Sequence, residues 1–425
     1  MPGRRLRCLV ALLVLLAWGG TVQAQIAFET DFECGNGTDF TQVAGSTYSF
    51  RIRPDTNSTD RQWFHFRVTG AAGQTLTFQL LGTNTHNVPG HWGTAWPVAS
   101  QDGGRTWSHT TGARSHASPV FTFTHSFTAD PEEIAFHFPY RWSDVLERIA
   151  EWEQHPHVTR RTIGQSVQGR DIILLRVTDP AVAPEGGKKG FWLIARQHSA
   201  EVTGNFVLEG IMQVLLSDTP EGLALRQGAD TWIVPMVNPD GVVAGNYRNN
   251  FAGVNLNRVW NNPSATTSPE VRAIVREVAA WHGGGNSFDF FNDLHSTSGA
   301  NPHFAFHAAS NIRPPLYPTP DTYHADTRRF LELVDQEDPN FDHLRGASTS
   351  TDTGLSRQYM TAEYGVLAFI YEGGYNRIND GPTPSALMTP EVHRNVGRAT
   401  ARALVRYFEL APVATPDRWQ VLGEQ

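Results

Sequence analysis

The chain has 425 residues, of which 40% are hydrophobic and 18% charged, with a formal net charge of −8. Such a chain is long enough for two domains and too apolar to remain disordered. Its acidic balance excludes a nucleic-acid binder or a polybasic membrane-surface protein, because both need clustered Lys or Arg.

The first 24 residues have the three-part pattern of a secretory signal. Arg4, Arg5 and Arg7 form a basic start, and "CLVALLVLLAW" (8–18) is an apolar stretch too short to span a bilayer. Val22 and Ala24 supply small residues for cleavage after Ala24. The expectation is an exported protein, periplasmic or secreted, without stable membrane insertion. Loss of the three arginines takes the charge from −8 to −11. Cys8 leaves with the signal, and Cys34 alone can make neither an internal disulfide nor a cysteine-based metal site.

Residues 25–137 read as short alternating segments broken by turns, among them "STYSFRIR" (46–53), "RQWFHFRVTG" (61–70), "QTLTFQLLG" (74–82) and "SPVFTFTHSFTA" (118–129). Period-two alternation of Thr, Phe and Val, with no amphipathic helix, predicts an antiparallel β-sandwich. A single "SQDGGRTW" (100–107) predicts a tight hairpin. Trp63, Trp92, Trp96 and Trp107 are candidate exposed aromatics, which would allow a carbohydrate-binding role for this domain.

The rhythm changes over 138–410. Ser143 is an N-cap candidate for a helix over 143–155 with apolar Val145, Leu146, Ile149 and Trp152. A hairpin follows over 162–178. Strands are expected at 191–195, 231–238, 288–295 and 366–372, and helices at 203–217, 268–282 (Pro269 in the first turn), 323–336 and 389–410. Alternating strands and helices predict an α/β domain with a mixed, largely parallel central sheet and helices on both faces. Functional groups then gather at the carboxyl ends of strands. Residues 411–425 read as a loose tail.

His198 and Glu201 follow one strand in "RQHSAEVTG" (196–204), and His295 ends another in "FNDLHSTSG". Two imidazoles and a carboxylate form the ligand set of a catalytic zinc, although His-x-x-Glu is also an ordinary polar turn before a helix. "NPDGVVAGNYRNNFAGVNLNRVW" (238–260) puts Arg248, Asn257 and Arg258 in a Gly- and Asn-rich loop. Forked guanidinium groups there suit an oxyanion or a carboxylate; the other reading is a loop stapled by surface arginines. Glu372 ends the strand in "YGVLAFIYEGG" (364–374), as a salt-bridged edge group or a general base. No His-Glu-x-x-His and no Gly-x-Ser-x-Gly occurs.

The order H-x-x-E, N-P-D-G, N-x-R, N-R, L-H-S and a late strand-end Glu resembles the zinc carboxypeptidases of the M14 family over about residues 140–410. "NPDGVVAGNYR…GVNLNR" is most similar to the cytosolic carboxypeptidase (Nna1-like) branch. "DFECGNG" (31–37) and "IAFHFPYRWSDVL" (134–146) resemble the sandwich start and junction of that branch. The resemblance implies one zinc ion on His198, Glu201 and His295. It implies Glu372 as general base, Arg248 as the oxyanion group, and Asn257 with Arg258 as the carboxylate-binding pair. It also implies a peptide or protein C-terminus as substrate.

"TGLSRQYM" (353–360) resembles the branch's Gly-Thr-Ala-Arg segment, so Arg357 is expected to favour a terminal Glu or Asp, or else to pair with an internal carboxylate. Three positions depart from the branch: Ser199 and Ala200 make His-Ser-Ala-Glu of the usual His-Pro-Gly-Glu, and Asn255 stands where an Asp is usual, which is expected to weaken a hydrogen bond behind the metal. His282, His303 and His307 are expected as surface or core residues, with no second metal. The alternatives are a zinc-dependent cell-wall peptide amidase or amino-acid deacylase on the same scaffold, and a non-catalytic carbohydrate- or peptide-binding protein.

Overall fold

The computed structural model describes residues 25–184, 186–297, 303–307, 320–346, 350, 352–375, 377–378 and 386–412. The proposed signal segment and most of the tail lie outside the described residues. No described helix is long and apolar enough to cross a membrane.

A seven-stranded sheet forms the centre of the second domain. Its strands lie in the order Val158–Gln165, Asp171–Val177, Ala229–Val234, Lys189–Ala195, Phe290–Thr297, Leu367–Gly374 and Phe304–His307. The four middle strands, Ala229–Val234 through Leu367–Gly374, run parallel, and the outer pairings are antiparallel. The middle strands are apolar throughout because helices cover both faces. Along Lys189–Ala195, Phe191 and Leu193 pack with Val207, Leu208 and Ile211 on one side, while Trp192 and Ile194 pack with Ile274 and Val278 on the other. Chain connection places the next strand, Ala229–Val234, on one side of Lys189–Ala195 and the later Phe290–Thr297 on the other. The order therefore reverses at Lys189–Ala195, and a crevice opens beyond the carboxyl ends at that point.

Helices Thr203–Leu215 and Pro390–Tyr407 pack together on the face that carries Phe191 and Leu193, with their backbones almost touching. A Cβ at Gly397 would stand 2.0 Å from the carbonyl oxygen of Val207, and one at Gly210 would stand 2.1 Å from that of Arg394. Both atoms belong to backbone, so no side chain can swing aside to relieve a clash.

The first domain consists of two five-stranded sheets, one running Ala27–Glu29, His65–Thr69, Glu132–Ala135, Val98–Ser100, Ser108–His109, the other Thr38–Ala44, Thr47–Arg51, Thr75–Leu81, Val120–Ser126, Arg114–Ala117. Pairing is antiparallel except between Thr47–Arg51 and Thr75–Leu81, which run parallel. The inward positions of the alternating segments are aromatic: Phe50, Phe64, Phe66, Phe78, Phe121 and Phe123 are all fully buried, with Phe64 stacked on Phe123 at 6.0 Å. Gln101–Trp107 forms the expected hairpin turn, in which the Asp102 carboxylate accepts from the backbone N–H groups of Arg105 (3.0 Å) and Thr106 (2.9 Å).

Several expectations are corrected. Trp63 and Trp92 belong to the core, and the half-buried Trp96 and Trp107 spend their indole N–H groups on the carbonyls of Thr110 and Gly104. None of the four is an exposed sugar-stacking platform. The first helix runs Trp142–Trp152, with Arg141 as its N-cap and Asp144 closing a capping box, so Ser143 already lies inside the first turn. The strand expected over 231–238 is Ala229–Val234, ending where Pro235 removes a donor. The edge strand Phe304–His307 and the short helices Pro220–Gly228, Pro239–Val243 and Ser356–Tyr364 were not anticipated.

The glycine contact yields a prediction. Gly397→Ala should destabilise the protein by about 1–3 kcal/mol, the usual range for overpacking, despite the better helix propensity of Ala. An unchanged melting temperature would show that the two helices can part without loss.

Candidate metal centre and catalytic cleft

The segment after Lys189–Ala195 is built to turn sharply. Arg196 has a positive φ of 60°, unusual for a residue with a side chain. Its buried guanidinium folds back on the turn it begins: Nε donates to the Ser199 carbonyl (3.0 Å) and Nη1 to the Tyr140 carbonyl (2.8 Å) and the Asn205 amide oxygen (3.0 Å). Ser199, the departure from the usual Pro, receives a hydrogen bond on its hydroxyl from Asn238 Nδ2 (3.0 Å) and donates one to the Asn249 carbonyl (3.3 Å). Asn238 in turn caps the helix Pro239–Val243. Asp240 accepts from the Ser166 hydroxyl (2.8 Å), Gln168 N–H (2.7 Å) and Arg170 Nη1 (2.7 Å). The His-x-x-Glu turn and the Asn-Pro-Asp-Gly loop thus brace each other.

That turn sets His198 and Glu201 beside His295. Their ligand atoms all lie within 4.8 Å of one another, and all three residues are buried. Glu201 lies between the rings, with Oε1 2.7 Å from His198 Nδ1 and Oε2 2.6 Å from His295 Nδ1. The outer nitrogens are anchored from behind: His295 Nε2 is 2.9 Å from Asp293 Oδ2, and His198 Nε2 is 2.9 Å from Asn255 Oδ1. Two imidazoles and a carboxylate converge on one buried point, and each imidazole has an oxygen behind its outer nitrogen to fix the ring, so this donor set fits a zinc ion. Opposite charges gather here. Burial opposes charge on His295, yet Asp293 and Glu201 hold its pKa well above the usual imidazole range. Burial likewise opposes ionisation of Glu201, but His198 and His295 hold it well below the usual carboxylate range.

Asn255 keeps the hydrogen bond that its Asp-to-Asn difference was expected to weaken, and its Oδ1 also accepts from the Asn257 N–H (3.1 Å). What it lacks is the charge. The two imidazoles are therefore backed unequally: Asp293 supplies an anion behind His295, whereas burial lowers the pKa of His198 to about 4 with only a neutral amide behind it.

A cavity of about 360 Å³ opens in front of the cluster. It is lined by Tyr247, Arg248, Asn257 and Arg258 from the Asn-rich loop, by Arg357 and Asp352, and by Ile370 and Glu372 from the strand Leu367–Gly374. Val88 of the sandwich forms part of the wall. Glu372 reaches this face because it pairs with His295 on the neighbouring parallel strand, and Asp293, two residues before His295, shares the face. Loss of water and the nearby charge of Glu201 push the Glu372 carboxyl up to about 8, while His295 and Arg248 oppose the shift.

The helix Ser356–Tyr364 joins Arg357 to the same space. Ser356 N–H donates to Asn257 Oδ1 (2.9 Å), and the Ser356 hydroxyl donates to Asp293 (2.6 Å). Arg357 is buried, with Nε donating to the His307 carbonyl (3.0 Å) and its guanidinium 5.4 Å from the Phe306 ring centroid. Burial lowers its pKa to about 10, with Glu372 pulling the other way, and it remains a cation at neutral pH. Arg258 Nη1 donates to the Asn257 carbonyl (2.6 Å). The proposed site residues His198, Glu201, Arg248, Asn257, Arg258, His295, Arg357 and Glu372 therefore all border one cavity. Three residues were missed: Val88, Asp293, and the buried Gln197, whose side-chain amide donates to Asp293 and accepts from the Trp260 indole (2.8 Å). Asp293 was the legible one, since a residue two before His295 on a strand must share its face. His303 is buried against the Tyr371 hydroxyl and His282 is exposed, both outside the cluster.

A family model described as zinc carboxypeptidase matches residues 145–374, more than half of the chain, and one described as cytosolic carboxypeptidase N-terminal domain matches residues 28–137. The chain is 30% identical over 265 residues to cytosolic carboxypeptidase 6 of Caenorhabditis elegans, covering 59% of this chain and 58% of the relative. It is 26% identical over 422 residues to cytosolic carboxypeptidase 6 of Homo sapiens, covering 93% and 81%. Among solved structures, a metallo-carboxypeptidase from Pseudomonas aeruginosa in complex with (2-guanidinoethylmercapto)succinic acid is similar with a TM-score of 0.80 at 28% identity, covering 90% of this chain and 99% of that one. The chain therefore belongs to the zinc carboxypeptidase family, with a cytosolic carboxypeptidase N-terminal domain ahead of its catalytic domain.

Proposed function

We propose that this zinc metallocarboxypeptidase removes single residues from the ends of peptides or flexible protein tails and favours a terminal Glu or Asp. The observation that carries the reading is the convergence of the His198–Glu201–His295 cluster, Glu372 and three arginines on one cavity. In this reading His198, Glu201 and His295 hold one zinc ion. When bound, zinc supplies Lewis-acid chemistry, polarising a carbonyl and acidifying water.

Glu372 is the general base. It takes a proton from the attacking water and returns it to the leaving amine. A desolvated carboxyl is a stronger base than an exposed one, which suits that task. Arg248 donates hydrogen bonds to the oxyanion that forms as the carbonyl is attacked. Asn257 and Arg258 hold the terminal α-carboxylate, so that only chain ends fit. Arg357 faces the terminal side chain.

Before the metal is counted, Arg248, Arg258 and Arg357 are set against Glu201, Glu372 and Asp352 in the cavity lining. Zinc makes the cavity net positive, which favours an anionic chain end. The Pseudomonas aeruginosa relative holds a succinic acid that also bears a guanidino arm. Its carboxylates suit an arginine-lined cavity, whereas its guanidino arm argues for a basic terminal residue; peptide assays therefore decide the preference. We also propose export, on the basic start and apolar stretch of residues 1–24, with substrates outside the cytoplasm.

The purified protein should release one C-terminal residue from peptides, stop when a chelator removes the metal, and recover on adding zinc. Glu372→Gln should lower kcat by roughly 10²–10⁴-fold, the span of general acid–base catalysis, while zinc content stays at one ion. Undiminished turnover by this variant would remove Glu372 from the chemistry. On peptides ending in Glu, Leu and Lys, Arg357→Met should reduce the preference for Glu by about 10- to 100-fold, as expected for loss of a hydrogen bond to a charged group. Equal release of Leu or Lys by the unmodified protein sinks the acidic preference. Release confined to γ-linked peptides points to a cell-wall amidase instead.

A further inference from the structure

The loop that carries Arg248 rests on the sandwich domain. Asp55, in the sandwich, is 2% exposed. Its carboxylate accepts from three consecutive backbone N–H groups, those of Tyr247 (2.5 Å), Arg248 (2.8 Å) and Asn249 (2.9 Å), and from the Asn249 side-chain amide (3.2 Å). Successive N–H groups aimed at one point form an anion-binding concavity, and here the anion is a side chain from the other domain. Hydrogen bonds to an ionised acceptor are the strong ones.

Neighbouring contacts repeat the pattern. Thr56 N–H donates to Asn246 Oδ1 (3.0 Å), Asn57 Nδ2 to the Phe251 carbonyl (2.9 Å), and Asn249 Nδ2 to Ser58 Oγ (3.0 Å) and Asp60 (2.5 Å). Gly253, at a φ of 78°, lies so close that a Cβ would stand 2.2 Å from the Asn57 carbonyl oxygen. The same sandwich segment supports another part of the cavity lining. Gln62 pairs with both the N–H (2.7 Å) and the carbonyl (2.9 Å) of Val88, which lines the cavity.

Tyr247 and Arg248 both line the cavity. Among the described residues the Arg248 guanidinium has no hydrogen-bond or ion-pair partner, in contrast to Arg196, whose side chain is held at three points. The aim of Arg248 therefore depends on its backbone. Burial raises the pKa of Asp55 to about 6, against the pull of the three N–H groups, so the carboxylate would be stranded if the loop moved away.

We infer that Asp55 is a positioning residue for the peptidase reaction: by clamping the main chain of Tyr247–Asn249, the sandwich domain aims Arg248 at the reacting carbonyl. The inference rests on the role proposed above for Arg248. It makes the sandwich part of the catalytic apparatus, beyond its place as a neighbour of the cleft.

The test is a double-mutant cycle on the zinc-loaded full chain, with Asp55→Asn, Arg248→Ala and both together. Asp55→Asn should lower kcat by about 10- to 100-fold, the effect of a misplacement near 1 Å, with KM within about threefold and zinc content unchanged. In the Arg248→Ala background the same change should alter kcat by less than about twofold, since the group that Asp55 aims is gone. Equal losses in both backgrounds would mean that Asp55 acts through folding alone, and would overturn the inference. Asp55→Asn at the normal rate beside a slow Arg248→Ala overturns the inference and leaves the Arg248 role standing. Arg248→Ala at the normal rate overturns both. Should Asp55→Asn fail to fold, Asp55→Glu keeps the charge, displaces the loop by one methylene and enters the same cycle.

Discussion

A buried carboxylate held between two imidazoles is the contact on which the rest depends, and the domain is organised around supplying that arrangement. Glu201 faces His198 Nδ1 at 2.7 Å and His295 Nδ1 at 2.6 Å. His295 needs a parallel strand to project it, Asp293 two residues earlier to orient it, and Glu372 on the next strand at the same level. His198 and Glu201 need a chain that leaves its strand abruptly, which Arg196 makes possible by accepting a left-handed backbone and binding its own turn. The sheet order brings the two arms together, because the strands that end in them are neighbours where the order reverses.

Much of this was legible in the chain. The buried middle strands announce themselves as unbroken apolar runs such as Phe191–Ala195, and the long helices by their stripes. The sandwich shows in alternation like that around Phe64 and Phe66. His295 and Glu372 stand out because each lies near the end of a buried strand, and His198 with Glu201 because they sit in the polar turn just beyond one, where functional groups gather.

The remainder was hidden for physical reasons. Pro239–Val243 and Ser356–Tyr364 are too short to show a periodic stripe, and they exist because Asn238 caps one and Asn257 fixes the start of the other. The start of the first helix was misplaced because Arg141, a poor N-cap by type, is made one by Asp144. The tryptophans of the sandwich look exposed in a sequence full of polar neighbours, but period-two burial and backbone acceptors enclose them. Asp55 carries no spacing signal at all, since its partners are backbone amides of a distant loop. Asn255 was recognised as a departure, yet sequence could not tell that an amide oxygen would keep the bond while surrendering the charge.

The joint between Asp55 and the Arg248 loop has a bearing on how such a cleft diversifies. Three of the four bonds are made to main chain, so the clamp is blind to the side chains at 247 and 248. Both those side chains border the cavity. The groups that border the cavity can therefore be exchanged without loosening the ledge that bears them. The constraint falls instead on position 55, where almost any exchange strands three amides. Support and lining are thus divided between residues of different domains, and a change in one leaves the other in place.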